Sequence, residues 1–128
     1  MVFGLTEIGL IAVLMFKIMC VESGGKEIGF HKDGKSYGLF GLTEVACKEV
    51  GAEFPPASIK AEYEAASKYL FLLKERHDCD WLSAAGYYHG GDRERRENYI
   101  YKLLGVKPKD FPNSLEEWDK ITGLKDEY

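Results

Sequence analysis

One carboxylate stands out for where it sits. Glu22 lies in "VESGG", at the C-terminal end of an apolar stretch. A helix ending there would place its partial negative charge beside the carboxylate, which disfavours ionisation. Apolar neighbours would do the same. Both effects push a carboxyl pKa upward, into the range where it can serve as a general acid near neutral pH. A glutamate at a solvated helix end would gain neither effect, so position alone leaves both readings open.

A second stretch suggests different chemistry. Residues 29–36 read GFHKDGKS and fit the phosphate-cradling pattern G-x-x-x-x-G-K-[ST]. Such a loop works where backbone N–H groups ring the phosphates at the mouth of a helix, directly after a buried strand. Here Gly24-Gly25-Lys26-Glu27-Ile28 precedes it, which is no β-branched strand. Tyr37-Gly38-Leu39-Phe40-Gly41 follows, and its two glycines are poor in a first helical turn. No apolar strand ends in an aspartate that could hold magnesium, and the alternation of a doubly wound sheet is missing. The expectation is a glycine-rich surface loop that binds no nucleotide. Within it, Asp33 either forms its own Asp-Gly turn or serves as a second carboxylate near Glu22.

Other reactive residues form no recognisable set. His31, His77 and His89 lack an H-E-x-x-H spacing, and Cys20, Cys47 and Cys79 lack a C-x-x-C, so neither a metal nor another cofactor is expected. The cysteines read as buried thiols, with one disulfide and a leftover thiol as the alternative. Ser23 and Ser36 lack the sequence around a nucleophile elbow. The net charge of -4 leaves no basic stripe for nucleic acid. The charged run from Asp92 to Tyr99 reads as a solvated helix face.

Stepping from residues to elements, 128 residues suit one domain with its own core. The chain reads as mainly α, with six helices. Thr6 would cap a helix over 7–22 whose apolar positions wrap most of its circumference, making it central. Six glycines between residues 24 and 41 make a long loop, with a small hairpin tip at Lys32-Asp33-Gly34-Lys35. Thr43 would cap a short helix over 44–50, and Ser58 a long one over 59–76. The long helix would bury Ile59, Ala65, Ala66, Tyr69, Leu70, Leu72 and Leu73. Asp80 would cap a helix over 81–88, and 93–104 would form a fifth, closed by Gly105. Ser114 with Glu117 fits a capping box for the last. Trp118 is expected to pack back on the domain.

Four short motifs then fall in order. Glu22-Ser23 ends a buried helix; Gly38-Leu39-Phe40-Gly41 follows a loop; Tyr88-His89-Gly90-Gly91 ends another helix; Tyr99-Ile100 lies in the next. This order resembles the lysozyme-like domain of lytic transglycosylases and goose-type lysozymes, whose motifs are Glu-Ser, Gly-Leu-Met-Gln, Ala-Tyr-Asn-Ala-Gly and Tyr-Val. The resemblance covers about residues 5–105, and 106–128 would be a helical C-terminal extension. It implies a cleft that holds a β-1,4-linked amino-sugar polymer, usually peptidoglycan, with chitin as an alternative. It also implies that Glu22 protonates the departing glycosidic oxygen. Ser23, Tyr37, Gly38, Leu39, Phe40, Tyr88, His89 and Tyr99 would then line the substrate site, with Tyr88 holding Glu22 in place. In the transglycosylases the same carboxylate next acts as base while the sugar's own 6-hydroxyl closes an anhydro ring, so one carboxylate suffices where glycosidases ordinarily use two. Asp33 as a water-activating partner would instead make a hydrolase. Two residues depart from the pattern: Gly41 replaces glutamine and His89 replaces asparagine. These departures motivate the alternative of a non-catalytic glycan-binding or assembly module on the same fold.

The apolar run 8–16 is too short to span a bilayer and lacks the flanks of a signal peptide. A monomer is expected, with no export signal in the sequence. A wall-cleaving enzyme would act in the periplasm or outside the cell, and a phage-encoded source fits that combination.

Overall fold

The computed structural model describes residues 5–122, with side chains from 9 to 121. Six α-helices run in the order α1 (Leu5–Ser23), α2 (Glu44–Glu49), α3 (Ile59–His77), α4 (Trp81–His89), α5 (Arg93–Leu104) and α6 (Pro112–Thr122), with a short 3-10 turn at Pro108–Asp110. The mainly α class is as the sequence indicates. The tail beyond 122 and the side chains of Thr6 and Ile8 lie outside the described residues.

Most helix starts follow from one side chain each. Thr43, Ser58, Asp80 and Asp92 stand in extended backbone before α2, α3, α4 and α5, and each accepts an N–H from the first turn. Two starts differ from expectation. α1 already includes Leu5, so Thr6 lies within the helix instead of before it. α6 begins at Pro112, whose fixed φ suits a first helical position. Ser114 is therefore inside the helix and fully buried, with its hydroxyl beside the Cys20 thiol, and no capping box forms. Glu117 instead accepts a hydrogen bond from Lys120 at 3.0 Å.

The core centres on the second half of α1. Met15, Ile18 and Met19 are inaccessible to solvent, and α1 packs on α4, α5 and α6. Its first half is not central: Leu10 and Val13 are about half exposed, because none of the described elements covers that face. Edge-to-face contacts of Trp118 with Phe16 and Tyr63 seat α6 on this core. All three cysteines are free thiols, two of them buried. No helix among the described residues is long and apolar enough to cross a membrane.

Between α1 and α2 the glycine-rich segment folds back on itself. Phe30 pairs with Tyr37, and Tyr37 pairs with Leu42, as isolated antiparallel bridges. The expected hairpin is thus present in rudimentary form. Residues 38–41 then run across the C-terminal end of α1, and this strip forms one wall of the site.

Candidate active site around Glu22

Glu22 is in the last turn of α1, and its side chain lies against the strip. A Cβ built at Gly41 would come within 2.8 Å of Glu22 Oε1, so the carboxyl fills the space a side chain would need. Gly41 also has φ +61, a conformation that suits glycine. A side chain at 41 would therefore have to displace the carboxyl of Glu22.

Burial is the main influence on Glu22. Removal from water pushes its pKa up to about 7, the negative charge of Asp33 adds to the rise, and Lys102 opposes it. Tyr88 and Tyr99 both lie close enough to feel the Glu22 charge, which helps hold their phenols well above the usual range, behind the larger effect of burial.

The two tyrosines do different work. Tyr88 is in the core, and its hydroxyl donates to the Phe40 carbonyl at 2.7 Å. It anchors the strip and makes no bond to Glu22. Tyr99 is 3% exposed, and its hydroxyl has no hydrogen-bond partner, an unusual state for a buried phenol. His89 stacks flat on the Tyr99 ring at 4.5 Å. Partial burial and the nearby Lys102 and Arg95 lower the His89 pKa, which favours its neutral form.

Ser23 also belongs to the scaffold. Its hydroxyl donates to the Leu39 carbonyl at 2.8 Å and accepts from the Gly25 N–H at 3.1 Å. Leu39 and Phe40 have no exposed surface. The expectation that Leu39, Phe40 and Tyr88 contact a sugar is therefore corrected. Their side chains complete the core, and the strip can offer a ligand its backbone alone. The ring of Tyr37 packs edge-on against Phe30 and Phe54. These aromatics stand beside a concavity of about 580 Å³ lined by Phe30, Gly34, Lys35, Thr43, Glu44, Val45 and Phe54.

Asp33 sits fully exposed at the hairpin tip. One of its oxygens accepts the N–H groups of Lys35 and Ser36, each at 2.8 Å, and the other accepts the Ser36 hydroxyl at 2.7 Å. These bonds pull its pKa down to about 2. They also explain the phosphate-loop resemblance: the N–H groups that would face a phosphate are turned onto the loop's own aspartate. No helix follows the loop until Glu44. His31 braces its base, with Nε2 donating to the Gly38 carbonyl at 2.7 Å.

The sequence reading missed a second buried carboxyl, Glu62 of α3. It is 2% exposed, and one of its oxygens accepts the Leu39 N–H at 2.8 Å. A Cβ at Gly38 would collide with that same oxygen. The signal was its position: Glu62 stands three residues after Ile59 and three before Ala65, on the apolar stripe of the helix.

Among the described residues no cluster of histidine, cysteine and carboxylate side chains could hold a metal. Comparison of the chain with protein-family models, curated proteins and solved structures returned no match.

Proposed function

We infer that this protein cleaves β-1,4 glycosidic bonds in peptidoglycan, with Glu22 as general acid and then base. The observation that carries the reading is the setting of Glu22: a half-buried carboxyl at the C-terminal end of α1, packed against Gly41, where burial pushes its pKa up to about 7. A group with that pKa can both give and take a proton at neutral pH.

The chemistry needs one such group. Glu22 donates its proton to the glycosidic oxygen as the bond from C1 breaks. The resulting carboxylate takes the proton of the sugar's 6-hydroxyl as that oxygen bonds to C1. An anhydro sugar results, no water is consumed, and Glu22 recovers its proton. Asp33 favours this route over hydrolysis. A carboxylate held near pKa 2 by three hydrogen bonds is a weak base for water. Its charge acts on Glu22 instead, helping to keep the proton on. His89, exposed and stacked on the buried Tyr99 ring, is the side chain suited to meet the sugar.

Digestion of purified peptidoglycan followed by mass spectrometry tests the route. Anhydro ends are expected, 18 Da lighter than hydrolytic products because one water is not added. Reducing ends alone would assign hydrolysis. The non-catalytic glycan-binding reading is favoured by one observation, the absence of any side chain at Gly41 where the family carries a polar one. It predicts retention of the polymer with no products. Chitin oligomers run in parallel distinguish the substrate.

A further inference from the structure

Glu62 has no part in the chemistry above, yet it is the most buried carboxyl among the described residues. Three features place it. Its Oε1 accepts the Leu39 N–H at 2.8 Å. Gly38, at φ +76, passes so close that any Cβ would overlap that oxygen. The carboxyl of Glu27, from the loop after α1, lies close enough to raise the Glu62 pKa.

A carboxylate close to a buried carboxyl disfavours its ionisation. The groups facing Glu62 are Glu27 from the loop, Glu117 from α6 and the Leu39 N–H from the strip. The two carboxylates disfavour its charge and the N–H favours it. Burial adds the largest push toward the neutral form, and together these raise its pKa to about 8.

The strip that Glu62 grips also bears on Glu22. Leu39 receives the Glu62 bond on its N–H and the Ser23 hydroxyl on its carbonyl. Two residues later Gly41 abuts the Glu22 carboxyl. We propose that Glu62 is a positioning residue that clamps residues 38–41 against Glu22 and so fixes where the acid stands. Its effect on cleavage rests on the general-acid reading of Glu22; its grip on the strip does not.

The test uses the full chain and two variants. Glu62→Gln keeps an oxygen for the Leu39 N–H and removes the titration of the Glu62 side chain. Glu62→Ala removes the clamp. The first readout is the Leu39 amide resonance followed with pH. A carboxylate accepts more strongly than its acid, so the resonance should move with a midpoint near 8 in the parent and stay flat in Glu62→Gln. The second is wall clearing. The glutamine variant should keep it within about threefold, and the alanine variant should lose about tenfold or more, as expected when a supporting group shifts an acid by a fraction of an ångström. A pH-independent Leu39 amide in the parent overturns the proposal. So does an equal loss of clearing in both variants when both fold as the parent does. If Glu62→Ala fails to fold, the parent and the glutamine variant still decide it. If the parent clears no wall at all, the cleavage reading fails alone and the amide titration still judges the clamp.

Discussion

The carboxyl of Glu22 and the α-carbon of Gly41 occupy one another's margin: a methyl group at 41 would stand 2.8 Å from Oε1. Two segments, the end of α1 and the glycine-rich strip, meet at this contact, and it shields part of Glu22 from water. Gly41→Ala should drive the carboxyl outward. The Glu22 pKa should fall from about 7 toward 4.5, read by carbon-13 titration of the side-chain carboxyl. The positive φ alone should cost about 1–2 kcal/mol of stability in a urea melt. An unchanged Glu22 titration would show that the contact does not set its burial.

Glu22 also links stability to pH. Its folded pKa of about 7 lies above the ordinary 4.5, so the unfolded chain releases this proton first as pH rises. The stability contributed by neutral Glu22 is full below 4.5 and is lost as pH rises through about 7. Glu22→Gln removes that loss. Relative to the parent, the variant should gain up to about 3 kcal/mol on going from pH 4 to pH 9, measured by denaturant melts at the two values. A constant difference between the two proteins would contradict the buried state of Glu22.

Tyr88 and Tyr99 should separate cleanly when each loses its hydroxyl. Tyr88→Phe leaves the buried Phe40 carbonyl without its donor, and a cost of about 1–3 kcal/mol is expected. Tyr99→Phe removes a hydroxyl with no partner, so stability should hold or rise. Its wall-clearing rate should stay near the parent's, since that hydroxyl is closed to solvent. A large thermal loss in Tyr99→Phe, or none in Tyr88→Phe, would reverse these roles.

Asp33→Asn keeps an oxygen for the Lys35 and Ser36 N–H groups and removes the charge. The Glu22 pKa should fall slightly, because the Asp33 charge helps raise it. Products should keep their anhydro ends and clearing should persist, followed by mass spectrometry and turbidity. Abolished clearing with an intact fold would make Asp33 the base of a hydrolase.

The starts of α2, α3 and α4 were legible because single residues dictate them: Thr43, Ser58 and Asp80 each cap in sequence-local fashion. Glu22 was legible for the same reason, as a carboxylate at the end of an apolar helix. What escaped was set by contacts between distant segments. The apolar pattern of α1 could not reveal that none of the described elements covers Leu10 and Val13. The capping box at Ser114 looked sound locally, yet Pro112 starts the helix earlier and Gly25 packs onto the Ser114 backbone. Tyr88 was placed near the right carboxylate, but its donor goes to Phe40, 48 residues away. The phosphate-loop pattern misled because sequence does not show which way backbone N–H groups turn, and here Asp33 takes them. Glu62 could have been found by asking why a charge stands on an apolar helix face.

The most direct test compares parent and Glu22→Gln on purified cell walls at equal concentration and at neutral pH. The substitution preserves shape and removes the proton that leaves with the glycosidic oxygen. Clearing by the parent and loss of about a hundredfold or more in the variant are expected, the scale of a general acid's contribution. Equal clearing by the two proteins would contradict the assignment of Glu22 as the catalytic acid.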